Sequence, residues 1–403
     1  MPQDFPKLRP LNVRWITWQG QPVLSLSDPL RLTGGTALVP QAVAPLLALC
    51  DGTRDSDALR AGFMLRTGSN IMPNQVEELI HRLDEALLLD SPRFRRVLSE
   101  TREAYRAAPF RKPALAGGGY PEDPEELLDI MNAYCREAEG LGGSATGVQG
   151  VVSPHIDYTR GWRTYARTWA PLRQAVEDAE LVIILGTDHS GSPGSLTLTR
   201  QSYATPWGAL PTDTEIVDRL AGVLGEETAF SQEVHHVGEH SIELAAVWVH
   251  YMAGRKPKRV VPVLCGAHES LLETQDGEES RVWQAVDLLA EEAGGGQTLV
   301  VAAGDLSHVG PAFGDPAPLD PAAKAGIRSS DERWLESACD GGAAGLGDHI
   351  RTEGDRTRIC GAAPIHFMVR MLGDARGSVV HYDQCPADEE FGSLVSIAGV
   401  HYS

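Results

Sequence analysis

From about residue 147 onward, short apolar runs alternate with longer amphipathic stretches. Residues 148–152, 181–185, 260–264 and 299–303 are rich in Val, Leu, Ile and Ala and lack the polar alternation of a half-exposed strand. Such runs fit strands covered on both faces. Residues 163–178, 214–224, 241–252 and 280–292 carry helical spacing between them. Strand–helix alternation predicts an α/β layered domain with a largely parallel central sheet.

The first hundred residues have another texture. Residues 13–18 and 23–26 read as strands, and Gly34-Gly35 reads as a turn. Val43, Leu46, Leu47 and Cys50 then fall at helical spacing, and Asp51-Gly52 stops that helix. Residues 56–63 form a second helical stretch. Asn74 caps a third, on which Val76, Leu79, Ile80, Leu83 and Leu87 share a face. Strands followed by three small helices suggest a winged-helix-like α+β domain over residues 1–100. A basic helical connector occupies residues 91–112, so the linker is placed at 101–111, with the boundary near Phe110 and the α/β domain at 112–403. The Gly- and Ala-rich piece at 340–347 reads as a loop, and there is no internal repeat.

Composition narrows the functional classes. With 42% apolar residues the chain can build a sizeable core. Its 35 basic and 55 acidic residues leave a net charge of −20, which repels nucleic acid and anionic lipid. No apolar run reaches membrane-spanning length, and Met1 to Pro6 lacks the layout of a secretory signal. Six cysteines without CxxC spacing read as reduced thiols. A cytoplasmic protein is expected, with neither nucleic acid nor membrane as a partner.

The chemistry follows the strands. Ser153-Pro154-His155-Ile156-Asp157 succeeds the first, Gly186-Thr187-Asp188-His189 the second, and Gly304-Asp305-Leu306-Ser307-His308 the fourth. The carboxyl edge of a parallel sheet is where α/β folds build their sites. A single histidine there is most often a capped loop or core residue. Three at equivalent strand ends point to a metal shell, for which the missing soft donor would be Cys360, beside a Gly that permits close backbone approach. A second group is His235-His236-Val237-Gly238-Glu239-His240. His236 and His240 are spaced i, i+4, but Gly238 argues against a helix between them. His240 is therefore read as a site residue or acid/base, and His235 and His236 as loop residues. No GxSxG elbow, Walker loop or HExxH is present.

Two resemblances emerge. Residues 46–54 and 83–90 resemble the PqqD-like fold, a peptide-recognition element of ribosomal peptide-modifying systems, which implies peptide addition to the edge of the small sheet. From about residue 112 to 403, the ordered set Pro154-His155-Ile156-Asp157-Tyr158, Leu185-Gly186-Thr187-Asp188-His189, Thr205-Pro206-Trp207-Gly208, Glu239-His240-Ser241-Ile242-Glu243, Gly304-Asp305-Leu306-Ser307-His308 and Ile359-Cys360-Gly361 resembles the Memo family, protein B of the AmmeMemoRadiSam system. That resemblance implies a fold like that of class III extradiol dioxygenases and a metal held by His155, His189 and Cys360. Asp305 and His308 would lie beside the metal, and His240 would line the cleft. Two departures stand out: Ser307 where some relatives have Cys, and Ala362-Ala363 where the family has Arg-His.

The leading expectation is a metal-dependent redox enzyme, with Fe(II) favoured and Cu or Zn as alternatives, acting on a small-molecule or peptide substrate. His308 or His240 would serve as general acid or base, and Asp305 would orient an imidazole. The resemblance adds a radical-SAM protein as a partner. The competing readings are a non-catalytic metal- or peptide-binding module and a zinc-dependent hydrolase.

Overall fold

The computed structural model describes residues 5–30, 32, 36–138, 145–266, 278–340 and 342–403. The chain divides into two compact units, Met1–Ala107 and Ala108–Ser403.

The first unit holds a three-stranded antiparallel sheet in the order β1 (Asn12–Trp18), β2 (Gln21–Ser27), β3 (Thr36–Pro40). Helices Ala44–Leu47, Ser56–Thr67, Pro73–Glu85 and Pro92–Ala107 follow. Leu24, Leu26 and Val39 of the sheet pack with Leu46, Leu59 and Ile80 of the helices in one apolar cluster. The third strand was not anticipated, because five residues ending in proline carry little pattern. The third helix starts at Pro73, whose fixed φ suits the first helical position, so Asn74 lies inside the first turn and does not cap it. The backbone N–H of Met72 donates instead to Gln75 Oε1 at 3.0 Å. Residues 101–107 of the expected linker continue the helix Pro92–Ala107. The Gly34-Gly35 turn lies outside the described residues.

In the second unit the strands are β4 (Gly150–Ser153), β5 (Leu181–Thr187), β6 (Leu196–Leu198), β7 (Tyr203–Thr205), β8 (Gly208–Leu210), β9 (Arg259–Cys265), β10 (Thr298–Ala303), β11 (His308–Val309), β12 (Gly377–Pro386) and β13 (Leu394–Tyr402). β7 and β8 pair with each other. The rest form a mixed sheet ordered β11-β13-β4-β10-β5-β9-β6, with β12 also on β13. Its middle, β4-β10-β5-β9, is parallel, as the apolar runs required. Its margins are antiparallel. The sheet is thus parallel only where strands are covered on both sides. β12, with half-exposed His381, Tyr382 and Gln384, lacks the apolar continuity that marks the others.

Successive residues of the central strands alternate between two cores. Val151, Val182 and Val301 face one apolar cluster, and Val152, Ile183 and Val300 face the other. On the first face lies Ser241–Met252, every residue of which is buried, with Tyr158–Trp169 beside it. Trp169 and Trp248 stack there at 6.5 Å between ring centres. The helical stretch expected over 163–178 is broken at Pro171 by a 3₁₀ turn, Ala170–Leu172. The other face carries side chains from Thr214–Leu224, Pro321–Cys339 and Ala362–Leu372. The loop expected at 340–347 is occupied from Ala343 by a helix, Ala343–Glu353, anchored by fully buried Leu346. Glycines at 345 and 347 disguised it. Among the described residues no helix is long and apolar enough to cross a membrane.

Candidate metal centre

Sheet register brings the motifs together. Ser153 of β4 sits opposite Ala303 of β10, which sits opposite Gly186 of β5. Three adjacent strands therefore end nearly flush, and His155, Asp305 and His189 follow within two or three residues. His240 arrives from another direction, as the residue before Ser241–Met252. That helix start rests on β5 at Gly186, where a Cβ would lie 2.5 Å from Ile242 Cγ1. Ser241 Oγ donates to the Thr187 carbonyl at 2.8 Å. Cys360 is brought in by a second close approach: a Cβ on Gly304 would lie 2.4 Å from Gly361 Cα. The Gly361 N–H donates to the Asp305 carbonyl at 2.9 Å, and Thr187 Oγ1 donates to that of Cys360 at 3.0 Å.

The three imidazoles of His155, His189 and His240 form a triangle. Their ring centres are 5.0, 5.3 and 5.2 Å apart, and one donor atom from each lies within 4.8 Å of the others. Each Nδ1 has an acceptor. That of His155 is 3.2 Å from the Ala303 carbonyl, that of His189 is 3.0 Å from Glu239 Oε2, and that of His240 is 3.2 Å from Glu239 Oε1. With the Nδ1 protons so placed, the hydrogen-bond network assigns Nε2 of each ring to the cluster. Cys360 Sγ lies 3.2 Å from His155 Nε2. This donor set, imidazoles oriented by a carboxylate and a carbonyl with a thiol alongside, fits a transition metal.

The electrostatics agree with that donor set. Burial works against a charged imidazole at His155, but the Cys360 thiolate and the Asp305 carboxylate outweigh it and raise its pKa to about 9. His189 is likewise lifted well above the ordinary value, against the cost of burial, by Glu239 and Cys360. Burial would raise the thiol of Cys360, yet His155 and His308 hold it well below the usual range. Glu239, despite burial, is kept well below the usual carboxylate range by His189 and His240. Without a metal, these shifts together favour imidazolium beside thiolate and carboxylate.

Other expected residues take supporting places. Asp305 Oδ1 accepts the backbone N–H groups of His155 at 2.7 Å and Ile156 at 3.3 Å, fixing the β4 turn, and its Oδ2 is 3.8 Å from His155 Nε2. His308 stands outside the triangle, with Nδ1 at 3.0 and 3.1 Å from the carbonyls of Leu306 and Arg358. His235 and His236, expected in a loop, lie on a one-turn helix, His235–Gly238. Glu239 turns extended, so the i, i+4 spacing of His236 and His240 produces no chelate. His236 points elsewhere, bonded to Tyr203 OH at 2.6 Å and the Thr197 carbonyl at 3.0 Å. Burial depresses its pKa to about 3.

Glu239 is the residue that sequence reasoning missed. It is buried and also accepts the backbone N–H groups of His189, His240 and Ser241 at 3.2, 2.7 and 3.1 Å. The signal was an acid directly before a site histidine. Behind it lies a buried ion pair, Arg111–Glu243, fully shielded from solvent. Arg111 also donates to the carbonyls of His236 at 2.8 Å and Glu239 at 2.7 Å. A cavity of about 280 Å³ opens against His189 and Cys360.

A family model described as Memo-like protein matches residues 111–401. A MEMO1 family protein of Aquifex aeolicus (strain VF5) is 26% identical over 381 residues, covering 93% of this chain and 94% of the relative. MEMO1 family proteins of Methanopyrus kandleri and Methanosarcina acetivorans are 29% and 26% identical, each over 68% of this chain and 91% of theirs. The Aquifex match therefore reaches well into the first unit. The chain belongs to the Memo-like protein family.

Proposed function

We propose that this Memo-family chain is a metal-dependent oxidoreductase acting on a small-molecule or peptide substrate. One observation carries the reading: three imidazoles converge with every Nδ1 engaged, beside Cys360 Sγ at 3.2 Å from His155 Nε2. His155, His189 and Cys360 would hold the metal, with His240 as a further donor within reach. The thiolate favours iron or copper. Bound there, such a metal would supply Lewis-acid or redox chemistry at an open coordination position.

The chain's own residues have distinct tasks. Glu239 sets the tautomer and tilt of two imidazoles at once, and Asp305 fixes the loop of the third. His308, outside the triangle with Nδ1 against the Leu306 and Arg358 carbonyls, would serve as general acid or base. The likeness to class III extradiol dioxygenases and the PqqD-like character of the first unit belong to the same proposal. So do a peptide substrate added along the small sheet and a radical-SAM partner.

Oxygen-electrode assays on iron- or copper-reconstituted protein, with reduced candidate peptides and small phenolic or thiol compounds, test this reading. Uptake of O2 by wild type and its loss in His189→Ala are expected. A second reading, a zinc hydrolase, is favoured by the same carboxylate-oriented imidazoles. Turnover that persists without O2 and is supported by zinc would select it.

A further inference from the structure

The cavity against Cys360 carries a statement about the substrate, and this statement rests on the proposal that the metal centre is the working site. Its apolar lining comes from Cys265, Trp334, Ile359, Ala362 and Ala363. Four of these are buried and one is half-buried. Burial pushes the Cys265 thiol well up, so it stays neutral.

Apart from His189 and Cys360 of the metal centre, the carboxylates and the arginine on the wall are already engaged inside the protein. Asp188 is paired with His235 Nδ1 at 2.8 Å and accepts the Ser190 N–H at 3.1 Å. Arg358 reaches Asp315 at 2.5 Å and the His308 carbonyl at 2.8 Å. Asp355 accepts the Ile359 N–H at 2.9 Å. A charged ligand entering here would have to displace one of these partnerships, whereas an apolar one would not.

Ala362 and Ala363 open the first turn of the helix Ala362–Leu372, with no side chain beyond Cβ to occupy the space. The cavity is open on this side because these two lining residues end at Cβ. We propose that it is the specificity pocket of the site, taking an uncharged, compact apolar group of roughly ten heavy atoms. The reacting end of the substrate then lies toward His189 and Cys360.

The test uses the full-length chain as purified and three probes of one shape: 1-adamantanol, adamantane-1-carboxylate and 1-adamantanamine, followed by ligand-observed NMR. The alcohol is expected to bind at least about tenfold tighter than either charged probe. Ala363→Leu, which fills the space, should weaken it by about tenfold. Ile359→Ser, at a half-buried position, should weaken it by about threefold, with retained folding checked by circular dichroism. A charged probe that binds as tightly as the alcohol, or alcohol binding untouched by both variants, overturns the proposal. Metal content measured on the same samples keeps the two readings apart. Protein without metal that still binds 1-adamantanol through this wall supports the pocket while removing the metal centre.

Discussion

Glu243→Gln removes the carboxylate opposite Arg111 while keeping nearly the same shape. The carboxylate accepts from Arg111, from the backbone N–H groups of Ala114 and Leu115 at 2.7 and 2.8 Å, and from Tyr120 OH at 2.6 Å. Both ion-pair side chains are fully shielded from solvent. Removing one partner of such a pair costs about 3–5 kcal/mol, because the other charge stays in a low-dielectric interior. Two features soften this. The glutamine carbonyl can still accept backbone N–H groups, and Arg111 keeps the carbonyls of His236 and Glu239 and the Tyr203 ring, 4.9 Å from its guanidinium carbon. The expected loss is therefore about 3 kcal/mol. An exposed pair such as Arg200–Glu226 would contribute at most about 1 kcal/mol. Guanidinium denaturation, with the slope against denaturant unchanged, measures the difference. Arg111→Met should cost a similar amount, and the double variant Arg111→Met/Glu243→Gln should cost less than the sum of the two singles, because no unpaired charge is left buried. A loss below about 1 kcal/mol, or strictly additive single effects, would refute the reasoning.

Three further outcomes follow from the site. Glu239→Gln loses the charge that orients two imidazoles, so metal affinity measured against a competing chelator should fall by about 10–100-fold. The folded-state pKa of Glu239 is depressed, so its contribution is present above the unfolded value near 4.5 and is lost as pH falls through the folded value. Metal-free wild type should accordingly lose more stability than Glu239→Gln between about pH 5 and pH 3; equal losses would contradict that role. In the metal-free site the raised pKa of His155 and His189 and the lowered pKa of Cys360 favour imidazolium beside thiolate. Metal binding should then release about two protons, read by titration calorimetry in buffers of different ionisation enthalpy, and zero release would contradict it.

The parallel strands and the helices at Thr214–Leu224 and Ser241–Met252 were legible because the strands are continuous apolar runs, the first helix keeps one apolar face and the second is a long apolar stretch. His155, His189, Asp305 and Cys360 were legible because strand ends and glycines leave marks in sequence. What escaped was set by tertiary contact. β12 is half-exposed and therefore patternless, and its place is fixed by pairing along the length of β13. The helix Ala343–Glu353 is rich in glycine and alanine and is held by the burial of Leu346. His236 and His240 have chelate spacing, but the extended backbone of Glu239 sends them to different neighbours. Glu239 itself has no meaning until β5 and the start of Ser241–Met252 meet at Gly186.

The central claim is that His155, His189 and Cys360 hold one metal ion. Elemental mass spectrometry on protein purified anaerobically tests it, with His155→Ala, Cys360→Ala and the exposed control His81→Ala alongside. The account predicts about one equivalent of iron or copper in wild type and in His81→Ala, and its loss in the other two. Absence of metal from wild type, or full retention in both His155→Ala and Cys360→Ala, would contradict it.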